Sequence, residues 1–248
     1  MRVLVVNDTS DTKIIFRNLD WDSEYFGVKC GRIDLNDNID DDEKSQVSKF
    51  AEQYDFVTIT NQKNCNLNNV YIGKELKAFL ADVNIQFEKY PISDQEIDSN
   101  IKIYNCYSKN ESLVNMVEGA YKHSRFFNDS HISSQKASGI YQNWVRNSFN
   151  NKNKYFVNYE EAGLIKGFLI CSVDNKRNLI IELICVSEEF KGNGIGKALI
   201  KASEKITLEN QLIKIKVGTQ IENISALNFY KSCGFILIDI SYIYHLWN

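Results

Sequence analysis

Three glycines at alternate positions, Gly192, Gly194 and Gly196, separate a strand-like segment from a helix-like one. The residues before them, Leu179 to Val186, form an apolar run, and Gly194 to Leu208 has apolar side chains at helical spacing. Glycine lets the backbone approach a ligand closely and turn its N–H groups outward, and a helix N-terminus favours an anion. The pattern therefore predicts a phosphate-binding loop, although an ordinary strand-to-helix turn could use the same glycines.

Two common phosphate motifs do not fit this loop. A dinucleotide fingerprint has glycines at its first, third and sixth positions and follows the first strand of a parallel unit, whereas this loop follows the fourth strand of its half. A Walker loop ends in Gly-Lys-Ser/Thr, and Gly196-Lys197-Ala198 lacks the hydroxyl that would hold magnesium.

Hydrophobic periodicity in residues 99–248 predicts a mixed sheet with helices. Strands are expected at residues 101–104, 155–159, 165–173, 179–186, 212–217 and 235–245, and helices at residues 112–121, 135–147, 194–208 and 224–232. Turns at Gly163 and at Asp174-Asn175-Lys176 join three successive strands into an antiparallel meander. The order β-α-α-β-β-β-α-β-α-β then requires a crossover helix after the meander.

The first half of the chain predicts a smaller α/β unit. Helices at residues 42–54 and 70–80 alternate with strands at residues 56–60 and 85–90. The single proline, Pro91, follows the last of these strands. We expect a boundary near residue 98, between an N-terminal domain of residues 1–98 and a C-terminal domain of residues 99–248 that pack against each other.

Composition narrows the functional class. Hydrophobic residues make up 44% and charged residues 25%, as in soluble globular proteins, and a formal net charge of −3 gives no case for nucleic acid binding. The apolar run Val3 to Val6 is too short for a signal-peptide core, and no run is long enough for a membrane span. The six cysteines are dispersed without metal-ligand spacing, so we expect a reduced, cytoplasmic protein without a metal site. The sequence leaves a homodimer open.

Two motifs together resemble those of the GNAT superfamily of acyltransferases. Lys191 to Gly196 resembles the pattern Arg/Gln-x-x-Gly-x-Gly/Ala, with lysine in place of the usual arginine or glutamine. Asn223 to Phe235 matches Asn-x-x-Ala-x-x-Phe-Tyr-x-x-x-Gly-Phe at every position. Lysine keeps the charge but loses the planar fork of arginine, and we expect this to be tolerated because the loop contacts pyrophosphate mainly through backbone amides. The resemblance covers the C-terminal third of the chain.

The resemblance implies a mixed α/β fold, with a C-terminal GNAT domain and a smaller N-terminal domain similar to a truncated GNAT unit. It implies acyl-CoA as co-substrate, in a cleft where the fourth and fifth strands of the C-terminal half splay apart. The backbone of Cys185 and Val186 would meet the pantetheine arm and thioester, and Asn223, Ala226 and Tyr230 would line the other side. The pyrophosphate would lie on the loop, beside Lys191, Gly192, Asn193, Gly194, Ile195, Gly196 and Lys197.

Acyl transfer to an amine requires a neutral amine, a stabilised oxyanion and a proton for the departing thiolate. A backbone N–H near Val186 is the expected oxyanion donor. Tyr230 is the expected proton source, since the ordinary pKa of tyrosine, about 10, lies above that of a thiol, about 8.5. Glu182 lies four residues before Val186, so strand periodicity predicts both on one face, and Glu182 is either the base or a structural charge. His123 is another candidate base, and a neutral bound amine would need none.

Aromatic and polar residues alternate in three further segments, around Trp21, Arg125 and Trp144. Such segments suit a stacked base or sugar and a diphosphate, or an ordinary core. Trp21 to Gly27, Ser124-Arg125-Phe126 and the pair Tyr141 and Trp144 resemble TDP-fucosamine acetyltransferase and related N-acyltransferases that act on dTDP-linked amino-dideoxyhexoses. That resemblance implies sugar-nucleotide contacts, or walls of the acceptor site, at Trp21, Tyr25, His123, Arg125, Phe126, Asp129, Tyr141 and Trp144.

The expected reaction is transfer of an acetyl group, or of a short hydroxyacyl group such as 3-hydroxybutyryl, from acyl-CoA to the amino group of a dTDP-linked amino sugar, for a surface polysaccharide such as the O-antigen of lipopolysaccharide. One alternative is a GNAT acetyltransferase that acts on a protein or on another small amine. A second is a non-catalytic sensor of acyl-CoA, against which Asn223 and Tyr230 weigh.

Overall fold

The computed structural model describes residues 12–92 and 96–248. Residues 1–11, which include the apolar run after Met1, and residues 93–95 lie outside the described part. The described chain contains ten strands: β1 Ile14–Asn18, β2 Cys30–Leu35, β3 Phe56–Asn61, β4 Phe79–Lys89, β5 Ile101–Asn105, β6 Lys154–Glu161, β7 Leu164–Val173, β8 Leu179–Val186, β9 Ile215–Gln220 and β10 Ile236–Trp247. Its seven α-helices are α1 Asp20–Phe26, α2 Asp41–Ala51, α3 Asn66–Lys74, α4 Glu111–Met116, α5 Ser134–Ser148, α6 Ile195–Glu209 and α7 Ile224–Ser232.

All ten strands belong to one mixed sheet, in the order β1-β2-β3-β10-β4-β9-β8-β7-β6-β5. Strands β5 to β8 pair in succession as antiparallel neighbours, which confirms the meander. The parallel pairs are β2 with β3 and β8 with β9, and α6 is the crossover before β9. The element order after residue 101 is therefore the order expected from hydrophobic periodicity.

Helices cover both faces of the C-terminal part of the sheet. Neighbouring β7 residues point to opposite faces, since Leu169 packs in the cluster with Leu199 of α6, and Phe168 packs in the cluster with Val145 of α5. On the face of α5, Phe26 of α1 joins Ile140 in a further cluster. The sheet is thus covered by α6 and α7 on one side and by α1, α4 and α5 on the other.

The last strand joins the two halves of the chain. β10 lies between β3 and β4, pairing antiparallel with both, and β4 also pairs with β9. One continuous sheet therefore passes through both sides of the expected boundary near residue 98, and the division into domains remains a prediction.

Three segments differ from the expected elements. The expected helix at residues 70–80 ends at Lys74, because Lys77 adopts a left-handed φ of 58° and Phe79 already begins β4. Leu76, Phe79 and Leu80 are at helical spacing across that break, which is why the sequence predicted a longer helix. The expected helix at 112–121 ends at Met116 in a series of turns that includes Gly119, with φ 67°.

The expected strand at residues 212–217 lies three residues later, as β9. Gln211 has a φ of 53° at the end of α6, and the Leu212 amide still donates to the Thr207 carbonyl. Leu212 to Lys214 therefore complete the helix-to-strand turn. Periodicity did not predict β1, α1 or β2. In the described part of the chain, none of the helices has the length and apolar character that a membrane crossing needs.

Candidate active site

The centre of the sheet opens where two parallel neighbours separate. β8 and β9 pair only over Leu179 to Ile181 and Ile215 to Val217. Beyond this the strands diverge, and a cleft of about 300 Å³ lies between them, bordered by residues 181–186 and 217–220. The splay confirms the opening expected between the fourth and fifth strands of the C-terminal half. It leaves backbone groups at the end of β8 free of a β9 partner, as ligand binding requires.

A β-bulge in β8 changes the direction of Glu182. Cys171 pairs with Ile181 and Ile170 with Leu183, which leaves Glu182 as the extra residue. Its carboxylate therefore points toward α5, whereas Val186 packs with the cluster on the α6 face. The expectation that Glu182 and Val186 share a face is wrong, because strand periodicity does not survive a bulge.

The neighbours of Glu182 occupy its carboxylate. Oε2 accepts a hydrogen bond from Trp144 Nε1 at 3.1 Å and pairs with Lys154 Nζ at 2.5 Å. Lys154 also donates to Ser148 Oγ of α5 at 2.9 Å. Although Glu182 lies in the cleft wall, these contacts are those of a structural charge that ties β6, β8 and α5 together.

The glycine loop shapes the N-terminus of α6. Gly192 and Gly194 have φ angles of 83° and 80°, the left-handed region that glycine adopts without strain. Gly194 is the N-cap, no side chain caps the helix, and the first helical hydrogen bond runs from Ala198 N to Gly194 O at 3.0 Å. The preceding amides, at residues 195–197, lack helical acceptors and can donate to an anion. Lys191, paired with Glu188, lines the adjacent cleft.

The second motif builds the start of α7 on the same side of the cleft. Asn223 is the N-cap, and its side-chain oxygen accepts from the Ala226 amide at 3.1 Å. A Cβ added at Gly196 would lie 2.9 Å from the Phe229 ring, so only glycine allows α6 and α7 this close. The two motifs are therefore in contact, and Asn223, Ala226 and Tyr230 all line the cleft.

Tyr230 forms the inner wall of the cleft. Its side chain is 4% exposed and packs against the rings of Phe87 and Phe235, with centroids 5.9 and 5.5 Å away. Burial raises the pKa of its phenol well above the ordinary value, so the hydroxyl stays protonated at neutral pH. Its position and protonation state suit a hydrogen-bond donor to a ligand atom in the cleft.

Stacked aromatic rings form the opposite wall. Tyr121 and Tyr141 stack with centroids 4.3 Å apart, and Trp144 lies 6.2 Å from Tyr141. Tyr121 also donates to the Ile184 carbonyl at 2.9 Å, which fixes the wall to β8. All three rings line the cleft, so this side of it is aromatic.

Arg125 adds a positive charge to the aromatic wall. Its guanidinium lies over the Phe126 ring, 4.2 Å from the centroid. Nε is buried and has no hydrogen-bond partner among the described residues. Burial lowers the pKa of the guanidinium, although Tyr141 and the carboxyls of Asp82 and Asp22 oppose that effect. Arg125 is thus a half-buried cation in the cleft wall.

Several candidate residues do not line this cleft. Trp21 and Tyr25 stack on each other in α1, and Tyr25 donates to the Lys136 carbonyl of α5 at 2.6 Å. His123 is exposed, and Phe126 is a fully buried core residue. Tyr25 thus connects α1 to α5, and Phe126 packs with Phe26 of α1 and Phe56 of β3.

Asp129 also lies away from the cleft, in a buried network. Its Oδ2 accepts from His245 Nδ1 at 2.7 Å and Trp247 Nε1 at 2.9 Å, and its Oδ1 accepts from the His131 amide. Burial alone would raise the pKa of Asp129, but these hydrogen bonds outweigh it and lower the pKa to about 2. Its oxygens therefore hold β10 rather than face a substrate.

Periodicity missed several lining residues: Asn84, Met116, Glu118, Gly119, Thr219 and Gln220. Asn84 belongs to β4, where Asp82, Asn84 and Gln86 alternate with apolar residues. That alternation was visible from residue 85 onward, but the helix expected up to residue 80 hid its start. If the strand had been predicted to begin at Phe79, its alternating polar residues would have indicated a polar face beside the cleft.

Cysteine and metal chemistry have little support among the described residues. No group of three or more histidine, cysteine or acidic side chains there could hold a metal. Cys185 is buried in the cleft wall, its Sγ lies 3.3 Å from the Met116 carbonyl, and burial raises the pKa of its thiol to about 11. A thiol with so high a pKa is a poor nucleophile.

Comparisons with known proteins agree with this site. The model of the Acetyltransferase (GNAT) family matches residues 116–235. The chain is 26% identical to the spore coat polysaccharide biosynthesis protein SpsD of Bacillus subtilis (strain 168) over 137 residues, which are 55% of this chain and 47% of SpsD. It is 42% identical to streptothricin acetyltransferase of Escherichia coli over 57 residues, 23% of this chain and 33% of that protein. The chain thus spans less than half of each of these two relatives.

The fold recurs in a solved structure. A GCN5-related N-acetyltransferase from Sphaerobacter thermophilus matches with a TM-score of 0.63, covering 95% of this chain and 76% of that one at 9% identity. So low an identity supports the fold alone. The family match spans the splayed strands, the glycine loop and the second motif. Over residues 116–235, the chain is thus similar to the GNAT family of acetyltransferases.

Proposed function

We propose that this protein transfers an acyl group, acetyl or a short hydroxyacyl, from acyl-CoA to the amino group of a dTDP-linked amino-dideoxyhexose, in the synthesis of a surface polysaccharide. The observation that carries the proposal is the cleft between β8 and β9. Lys191, at the start of the glycine loop, lines this cleft together with Tyr230, the aromatic wall and Arg125.

The coenzyme side fits an acyl-CoA. The unpaired amides at the start of α6 suit the pyrophosphate, and the positive φ angles of Gly192 and Gly194 leave open space where side chains would stand. The free edge of β8 near Val186 can meet the pantetheine amides, as an added strand would. This arrangement would place the thioester in the splay, beside Tyr230.

The transfer forms a C–N bond and an S–H bond, and it breaks a C–S bond and an N–H bond. The neutral amine of the acceptor attacks the thioester carbonyl, the C–N bond forms, and a β8 amide near Val186 stabilises the oxyanion. The tetrahedral intermediate then collapses, the C–S bond breaks, and the nitrogen loses one of its two protons. The thiolate of CoA takes up one proton, so the products are an amide and a free thiol.

Tyr230 assists the departure of the thiolate. Because burial raises the pKa of its phenol, complete proton transfer from tyrosine to thiolate would be unfavourable. The hydroxyl is better suited to donate a hydrogen bond to the developing charge on sulfur. The structure thus favours a stabilising role for Tyr230 over that of a strong acid.

The acceptor side fits a nucleotide sugar. An aromatic wall suits a base or sugar ring, and a guanidinium with a buried, unpaired Nε suits a phosphate group. The similarity to SpsD, a spore coat polysaccharide biosynthesis protein by name, supports a role in polysaccharide synthesis. Because Glu182 is held by Lys154 and Trp144, the amine would bind in its neutral form or lose its proton to water.

A thiol-release assay with acetyl-CoA and a panel of acceptors tests the proposal. The panel contains dTDP-linked 3-amino and 4-amino sugars, peptides with free N-termini, and streptothricin. We expect turnover with a dTDP-amino sugar and acylation of its amine by mass spectrometry. Turnover with peptides or streptothricin but with none of the sugars would overturn the proposed acceptor.

A further inference from the structure

Arg125 is a half-buried charge without an ion pair among the described residues. Its Nε lacks a partner, and no carboxylate of the described residues lies within 4.0 Å of its guanidinium. Burying an unpaired guanidinium is unfavourable unless a ligand supplies the missing contacts. Since Arg125 lines the cleft, such a ligand would reach it from the acceptor side.

Two buried carboxyls lie near Arg125 without pairing with it. Asp22 of α1 is 8% exposed and Asp82 of β4 is 7% exposed, and both feel its charge. The other titratable groups that interact electrostatically with Arg125 or with these carboxyls are Arg32 of β2, Tyr141 of α5, His245 of β10 and Glu222 after β9. Both carboxyls come from the N-terminal half, so that half of the chain contributes negative charge near Arg125.

Asp82 is connected to the cleft along one face of β4. Asp82 and Asn84 share a face, since their register with β10 is regular, and Ile85 and Phe87 point into the opposite core. Asn84 lines the cleft together with Arg125. Asp82 therefore lies on the same face of β4 as the cleft residue Asn84, two residues further from the cleft.

We propose that Asp82 competes with an anionic group of the acceptor for the charge of Arg125, so that nucleotide binding is coupled to proton uptake by Asp82. The inference rests on the proposed function, because it assumes a phosphate at Arg125. When Asp82 is ionised, it partly neutralises the guanidinium and repels the ligand. When Asp82 is protonated, the guanidinium keeps its full charge for the ligand. Asp82 acts through Arg125 and is a positioning residue.

The titration of the surrounding groups supports this coupling. Burial raises the pKa of Asp82 to about 7, although Arg125 opposes it. Burial lowers the pKa of His245 to about 4, and burial raises the pKa of Tyr141, so neither changes charge near neutral pH. Lowering the pH through 7 therefore protonates Asp82 and should strengthen anion binding.

Calorimetric titration with dTDP tests the coupling directly. Wild-type protein should bind dTDP about 5- to 10-fold more tightly near pH 6 than near pH 8. Asp82→Asn should bind with the tight affinity at both pH values, which is a gain of affinity at the higher pH. A purely structural role for Asp82 predicts the opposite, a loss at both.

The matched control is Asp239→Asn. Asp239 lies in β10 opposite Gln86, roughly 13 Å along the sheet from Asp82, and should leave the pH dependence unchanged. Wild-type protein alone gives a second readout, since titrations in buffers of different ionisation enthalpy should show net proton uptake on dTDP binding near pH 7. Uptake of no protons, or pH-independent affinity, would overturn the inference even if Asp82→Asn does not fold.

The outcomes separate the two proposals. Coupled dTDP binding without acylation of any sugar would support the inference and contradict the proposed reaction. Acylation of a dTDP-amino sugar with pH-independent dTDP affinity would overturn the inference alone. Failure of wild-type protein to bind dTDP at either pH would overturn both.

Discussion

At the residue scale, the coenzyme side of the cleft depends on side chains that are close in sequence. Asn223 caps α7, Ala226 supplies the capped amide, and Tyr230 follows one turn later. Their relation is fixed by helix geometry, so the sequence could predict it. Arg125 differs, because the carboxyls that interact electrostatically with it, Asp22 and Asp82, belong to elements distant in sequence. Its surroundings depend on tertiary packing and could not be predicted from local pattern.

The hydroxyl of Tyr230 carries the first prediction. Tyr230→Phe keeps the ring in its contacts with Phe87 and Phe235 and removes only the hydrogen-bond donor. We expect kcat to fall by roughly 10²-fold while the Kd for acetyl-CoA stays the same. Steady-state kinetics and calorimetry measure the two quantities. Tyr155→Phe, at an exposed phenol that donates to Asn210, is the control and should change neither. An unchanged kcat in Tyr230→Phe would remove this hydroxyl from the mechanism.

Glu182 shows where residue-level periodicity fails. A strand places residues four apart on one face only if its pairing is regular. The bulge between Ile181 and Leu183 inserts one residue, which sends Glu182 toward Lys154 and Trp144. Nothing in the apolar sequence of β8 marks the bulge, because both flanking residues are equally buried.

At the element scale, the contact between α6 and α7 brings the two motifs together. Gly196 of α6 faces Phe229 of α7, and an added Cβ would lie 2.9 Å from a ring carbon. Gly196→Val should therefore push the N-terminus of α6 away from α7 and displace the amides at residues 195–197. We expect the affinity for acetyl-CoA to fall by about 10-fold or more, which corresponds to a loss of about 1.4 kcal/mol or more of binding free energy. Gly73→Ala in α3, where no atom lies within 4 Å, should leave it unchanged.

Local periodicity predicted elements well where strand pairing is between neighbours. The meander β5 to β8 and the helices α5, α6 and α7 lie close to their expected bounds. It failed at α3 and β4, where the left-handed Lys77 ends a helix in the middle of an apolar pattern. A backbone break of this kind leaves no periodic signature, since Ile72 before it and Ala78 after it are buried in the same cluster.

At the scale of the whole molecule, β10 holds the two halves in one sheet. Pairing of the last strand with β3 and β4 spans most of the chain, and no sequence pattern could predict it. Asp129 adds a side-chain link, because it binds His245 and Trp247 of β10 from the segment before α5. The network gives Asp129 a structural role, where the resemblance to sugar-nucleotide acyltransferases implied a substrate contact.

The network predicts a pH-dependent contribution to stability. Burial lowers the pKa of His245 to about 4, below its ordinary value of 6.5, so the unfolded chain binds more protons between these values. The contribution is therefore full above pH 6.5 and is lost as the pH falls toward 4. His245→Gln should lower the free energy of unfolding by about 2 kcal/mol near neutral pH, and by less near pH 4.

Chemical denaturation over this pH range measures the difference between wild type and variant. The control is His131→Gln, because the half-exposed ring of His131 contacts the same carboxylate. This variant should lower the free energy of unfolding by less than His245→Gln at every pH. A difference for His245→Gln that grows toward acid pH would show that the imidazole is charged in the folded protein.

The central claim is that the cleft between β8 and β9 binds acyl-CoA, and calorimetric titration with acetyl-CoA tests it most directly. Wild-type protein should bind one acetyl-CoA per chain, with affinity reduced in Gly196→Val and preserved in Arg125→Gln, whose side chain belongs to the acceptor wall. Wild-type protein that binds no acetyl-CoA, or binding that Arg125→Gln abolishes and Gly196→Val leaves intact, would contradict the assignment of the cleft.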